Sequence, residues 1–214
     1  NTGYMVGDIR GAWLANSVTA DRSYKANTLT ENGTVTEGVV ESSAELNGYS
    51  GWTGANYMER AHDTDLDFGT ASFSCMAWVK TTSMSSDFDI IFQNEDTSGA
   101  TARQFALRWE ADGALGFQIG DGASTKLADT GVAFDDGAWH FVVGIKESTT
   151  DCHIYVDGVL LNSVGSGLSN TLTDSNAVFR IGRAPQGGAG ASAGRPNANG
   201  STALVRISTT IPTA

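Results

Sequence analysis

Positive charge is scarce in this chain: 13 Lys and Arg stand against 24 Asp and Glu, a formal net charge of −11 over 214 residues. A phosphate backbone would meet a repelling average field, and no Lys/Arg run offsets it, so nucleic acid is excluded as the expected partner. No stretch approaches the roughly 20 apolar residues of a membrane-crossing helix, and membrane insertion is not expected. Proline is nearly absent, at 3 residues, and cysteine is limited to Cys75 and Cys152. Neither cysteine belongs to a CxxC pair or a histidine-rich spacing. Each sits in an apolar-alternating run, so the balance favours buried free thiols over a disulfide. Charged residues of both signs make up only 17% of the chain, and Ser, Thr, Asn and Gly take their place.

What is present is turn chemistry and short apolar alternation. There are 26 glycines, and 40% of residues are hydrophobic. Strand-like runs recur: Phe73–Lys80, Gln104–Trp109, Leu115–Ile119, Trp139–Lys146, Cys152–Val156, Ala177–Gly182 and Ala203–Ser208. Asp-Gly pairs at 112–113, 121–122, 136–137 and 157–158 punctuate them, and such pairs suit tight hairpins because both residues tolerate positive φ. Alternation assigns faces. Phe105, Leu107 and Trp109 share one; so do Cys152, Ile154 and Val156; and Trp139, Phe141, Val143 and Ile145 read as a core face opposite His140, Val142, Gly144 and Lys146. Many short strands with one apolar face indicate an all-β, two-sheet antiparallel sandwich, and such folds routinely reach about 200–250 residues as one domain. Residues 1–45 read as an N-terminal strand and connector packing on a sandwich of residues 46–214. Residues 186–200, rich in Gly and Ala, read as one long loop.

Two passages carry a family likeness. FDDGAWHFVVGI at Phe134–Ile145 and IYVDG at Ile154–Gly158 resemble the laminin-G signature of a DGxWHxV strand followed by a YVDG hairpin. LDFGTASFSCMAWVK at Leu66–Lys80 and NGSTALVRI at Asn199–Ile207 resemble that family's central and closing strands. The resemblance covers roughly residues 45–208 and implies a concanavalin-A-like jelly roll; it is specific for fold and weak for ligand. Tyr4–Val35 and the ending Ser208–Ala214 also resemble laminin-G-type virion proteins of marine bacteriophages. That likeness implies a tail or surface location on a virion, outside the cell, in a symmetric assembly of many copies.

Catalysis is the weaker expectation. A retaining glycosidase holds two carboxyls about 5–5.5 Å apart, whereas Glu110 and Asp112 flank a turn without a third carboxylate, and no serine lies in a GxSxG context. His140 and His153 fall on neighbouring strands and could be close, but His140 reads as a structural member of the Trp-His signature. No cofactor is required by this reading; calcium is possible. The acid that related domains use for calcium on the closing strand is replaced here by Thr202, Ala203 and Leu204, leaving Asp63, Asp65, Asp67, Asn94, Asp96, Asp135 and Asp136 as candidate oxygen ligands. A sugar site needs an aromatic platform ringed by planar polar groups. Trp52 and Tyr57 read as loop aromatics, and Trp78 is free by alternation to point outward. Gln104, Arg108, Gln118, His153, Tyr155, Arg180 and Arg183 read as one polar sheet surface. The expected partner is thus a host surface glycan, or else a neighbouring virion protein contacted by a purely structural subunit; a glycan-active enzyme is the third alternative.

Overall fold

The computed structural model of the protein describes residues 7–16, 19–95, 103–121, 124–147, 151–165, 168, 172, 177–183 and 199–211. Asp96 and most of the Gly/Ala-rich loop lie outside these residues. Among the described residues fifteen strands form two sheets, and every pairing is antiparallel. The first sheet runs β13 (Val159–Gly165), β12 (Asp151–Val156), β11 (His140–Glu147), β6 (Phe73–Lys80), β15 (Ser201–Ser208), β4 (Asn47–Ser50) and β3 (Thr36–Val39). An eighth strand, β1 (Ile9–Trp13), also pairs with β15. The second sheet runs β10 (Thr125–Ala133), β9 (Ala114–Gly120), β8 (Arg103–Trp109), β7 (Phe88–Glu95), β14 (Ala177–Ile181), β5 (Tyr57–Arg60) and β2 (Thr30–Asn32).

The core lies between the sheets. Phe73, Cys75, Ala77 and Val79 of β6 face Phe105, Leu107 and Trp109 of β8, with Cys152, Ile154 and Val156 of β12 beside them. Phe73 stacks on Phe68 at 4.3 Å and meets Phe105 at 5.0 Å. Both cysteines are buried and free. Asp112-Gly113 and Asp157-Gly158 join paired strands as the turn chemistry requires, and Asp157 and Gly158 both hold positive φ, at 52° and 82°. Asn32-Gly33 does otherwise. The strands on either side of it belong to different sheets, so this turn carries the chain across the sandwich.

The faces of β11 are the reverse of the sequence expectation. Val142 belongs to the inter-sheet core, and a Cβ on Gly144 would lie 2.2 Å from the Phe117 ring, so Gly144 points inward too. Lys146, on the same face, is 2% exposed, and its ammonium donates to the carbonyls of Thr70 and Ala71. Phe141, Val143 and Ile145 therefore face outward, where they pack with Met76, Tyr155 and Ile211 in a second apolar cluster. The outward set is the more apolar one, because the inward set includes His140, bonded to Asp136 and Asp157, and Lys146, bonded to backbone carbonyls, so alternation pointed to the wrong face.

Candidate functional site

The outer face of the first sheet contains a trough made by falling side-chain size. Trp78 of β6 opposes Ala203 of β15, the antiparallel register sets Ala203 beside Gly48 of β4, and Gly48 opposes Gly38 of β3. The row therefore steps from indole to methyl to bare backbone. Trp139, just before β11, closes over it: its Cη2 lies 3.4 Å from where a Gly48 Cβ would stand. The Trp139 indole N–H donates to the Val40 carbonyl at 3.2 Å, which fixes the ring against the connection between β3 and β4. Two adjoining hollows result. One, of about 230 Å³, is lined by Val40, Leu46, Trp78, Trp139 and Ala203. The other, of about 130 Å³, shares Val40 and Trp139 and adds Gly38, Val39, Gly48, Ser50, Lys80 and Ser201. Lys80 opposes Ser201, which the same register sets beside Ser50, so a polar strip runs parallel to the aromatic one.

The approach of Trp139 is held from behind. Asp136 accepts from the Ala138 N–H, and the Gly137 N–H donates to Thr81 O at 2.8 Å. His140 bonds Asp157 through Nδ1 at 2.8 Å and Asp136 through Nε2 at 3.1 Å, while the other oxygen of Asp157 accepts from the Phe141 N–H. The signature histidine thus ties the loop before Trp139 to the β12–β13 hairpin. Burial pulls its pKa down, but the hydrogen bonds and charges of the two carboxylates outweigh that and raise it above the ordinary value. His153 is no partner for it. His153 opposes Ile145, five residues along the strand from His140, or roughly 17 Å at the usual strand rise.

Of the residues singled out from sequence, Trp52 is fully buried, tilted against Tyr49 at 6.1 Å and packed on Gly182, where a Cβ would lie 2.1 Å from its ring. It is a core residue and offers no loop platform. Trp139, placed in the core from sequence, instead lines the trough, and Trp78 does point outward. Tyr155 and His153 lie on β12 of the first sheet, apart from the other proposed ligand residues, and Tyr155 packs on the outer apolar cluster. The remaining residues do share the second sheet or its edge, but not as a wet surface. Gln104 is 3% exposed, and Arg108, Arg180 and Arg183 are also buried. Arg108 is held bidentately by Glu110 and also bonds Gln118 Oε1 at 3.1 Å; Arg180 bonds Glu59 at 3.1 Å. Tyr57 does gather Arg183 and Arg180 over its ring, at 4.5 and 5.7 Å.

The acidic loops are engaged elsewhere. Asp63 caps the short 3-10 turn Thr64–Leu66 and pairs with Arg60; Asp65 pairs with Lys25 at 2.6 Å; Asp67 meets His62 at 2.9 Å. The three carboxylates turn to three different basic side chains and do not converge into an oxygen cage. Asp135 accepts from the Met84 N–H. The Asn94 side chain is outside the described structure. Among the described residues no three His, Cys, Asp or Glu group together as metal ligands. Glu110, committed to Arg108, and Asp112, which accepts from the Ala114 N–H at 3.0 Å, form no catalytic pair.

A family model described as Laminin_G_3, of the concanavalin A-like lectin/glucanases superfamily, matches residues 53–213. No curated protein sequence matches the chain. Among solved structures, the binding domain of Paraclostridial Mosquitocidal Protein 1 superposes with a TM-score of 0.73 at 11% identity, over 96% of this chain and 50% of that one. The binding domain of Botulinum Neurotoxin DC in complex with SialylT gives 0.69 at 12%, over 96% and 49%. This chain spans about half the length of those toxin domains. Domain 4 of AbnA, a GH43 extracellular arabinanase from Geobacillus stearothermophilus, in complex with arabinotriose, gives 0.64 at 17%, over 94% and 91%.

Proposed function

The chain belongs to the concanavalin A-like lectin/glucanases superfamily through its Laminin_G_3 match, and from that premise we propose that it is a non-catalytic glycan-binding module whose site is the Trp78–Trp139 trough. The observation that carries this reading is the pairing of an aromatic hollow with a polar strip on one sheet face. A sugar ring has an apolar face that packs on indole and a rim of hydroxyls that need donors and acceptors. Trp78 and Trp139 supply the first; Ser50, Ser201 and Lys80 supply the second. Trp139 is pre-ordered by its bond to Val40, so little side-chain freedom is lost on binding. The neighbours in complex with arabinotriose and with SialylT support the choice of ligand class. We place this binding on a virion surface, in a multi-copy assembly that attaches to a host glycan, on the strength of the phage-protein resemblance of Tyr4–Val35 and Ser208–Ala214.

The test is a glycan array followed by titration calorimetry, in calcium and again in EDTA. Trp139→Ala is expected to weaken binding at least about tenfold, the usual scale for a central aromatic anchor. Wild-type affinity is expected to be the same in EDTA, because the strip contains Lys80 and hydroxyls in place of carboxylates. Unchanged affinity in Trp139→Ala would move the site elsewhere. A wild-type chain that binds no glycan would favour a structural virion subunit.

A further inference from the structure

Among the described residues Lys80 is the one charged side chain lining either hollow, and it is a cation in a protein of net charge −11. Five described cations are already paired with carboxylates: Arg10 and Lys25 with Asp65, Arg60 with Asp63, Arg108 with Glu110, Arg180 with Glu59. Lys80 has no ion pair among the described residues. Its neighbours in the strip, Ser201 and Ser50, are hydroxyls, and the floor beyond them is the backbone of the paired Gly38 and Gly48. A ring seated on Trp139 extends from the apolar hollow into this polar one, since Trp139 belongs to both.

Seating a ligand there removes water from the ammonium. A neutral sugar returns only hydroxyl contacts, which leave a partly desolvated charge poorly compensated. An anionic substituent at that position replaces the lost hydration with a charge-assisted hydrogen bond, about twice as strong as a neutral one. We infer that the trough selects an acidic sugar, with its ring against Trp78 and Trp139 and its carboxylate against Lys80, flanked by the Ser50 and Ser201 hydroxyls. This inference rests on the glycan-binding reading and adds the class of sugar. Gly38 leaves the acid room: a Cβ there would meet nothing within 4 Å, so the polar hollow is open on that side.

The experiment pairs a galacturonic acid trisaccharide with its neutral galactose counterpart, on the array and in titration calorimetry, against wild type, Lys80→Gln and Lys80→Arg. Wild type is expected to prefer the acid about tenfold at low salt, with the preference shrinking as salt rises. Lys80→Gln is expected to abolish the preference by weakening acid binding more than neutral binding, and Lys80→Arg to retain it. Equal wild-type affinity for both, or an array on which only neutral glycans bind, overturns the acidic-sugar inference and leaves the glycan reading standing. An undiminished acid preference in Lys80→Gln also overturns the inference. An array on which nothing binds overturns the glycan reading and this inference with it. Lys80 is partly exposed and outside the inter-sheet core, so the variants keep the fold, which a thermal melt confirms.

Discussion

His140 carries a carboxylate on each ring nitrogen, from Asp136 in the loop before Trp139 and from Asp157 at the β12–β13 turn, with Phe134 edge-on at 5.0 Å. Its pKa is raised in the folded protein, so the native state holds the proton more tightly than the unfolded chain does. The resulting stabilisation is fully present below the unfolded value of about 6.5. It is lost as pH rises through the folded value. Denaturant melts of wild type and His140→Gln should therefore differ most below about pH 6.5 and draw together as pH rises through the raised folded value. A difference that grows with pH would contradict the doubly paired imidazolium. The loop ordered by His140 also places Trp139, so the proposed glycan affinity is expected to weaken over the same rise in pH.

Among the strands, β11 shows how one small residue sets an orientation. Gly144 sits where a Cβ would be 2.2 Å from Phe117 Cδ2 and 2.4 Å from Cγ. Phe117 itself packs against Phe73 at 6.1 Å in the inter-sheet core, so it has little room to retreat. Gly144→Ala is expected to destabilise the protein by about 1–3 kcal/mol, the usual cost of overpacking a tight core. The check is a lowered urea midpoint with an unchanged slope. A neutral result would mean that the two sheets separate more easily than their packing implies. In β15 the decisive feature is the irregularity between Ala203 and Arg206, where Leu204 adopts a φ of +50°. It divides the strand's far edge between two partners: Thr202 pairs with β4, and Val205–Ser208 pair with β1. That division places Gly48 beside Ala203, and so opens the trough.

Across the whole molecule, the first four strands are part of the sandwich although the family match begins only at residue 53. β1 pairs with β15 and β2 with β5, in different sheets, and β3 and β4 form the far wall of the trough. Trp13, Tyr49 and Trp52 are each fully buried, with Trp13 stacked on Phe179 at 5.1 Å. Removing a core aromatic costs about 3–5 kcal/mol, so losing three exceeds or consumes a typical total stability of about 5–15 kcal/mol. It would also bare the edges of β15 and β5. A chain shortened to begin at Thr53 is thus expected to be unfolded or aggregated by circular dichroism and size-exclusion chromatography. A folded, monomeric fragment would show that the first four strands are an accessory layer.

Turn pairs and alternation were enough to determine from sequence an all-β sandwich with hairpins at Asp112-Gly113 and Asp157-Gly158, because those signals are local. The inward faces of β8 and β12 were legible for the same reason: each has apolar residues on one side and polar residues on the other. In β11 the more apolar set faces outward, so alternation misled there, and only the fit of Gly144 against Phe117 decides. Trp52 in a Gly-rich run looked like a loop aromatic, and only the opposing Gly182 shows why it is buried. The trough was not legible at all. Trp78, Ala203, Gly48 and Gly38 are scattered over 166 positions of the chain, and their descending sizes become a groove only when four strands set them in one row. Strand register is a long-range property, fixed by packing between sheets, and it is what brings two signature tryptophans and a lysine together as a candidate site.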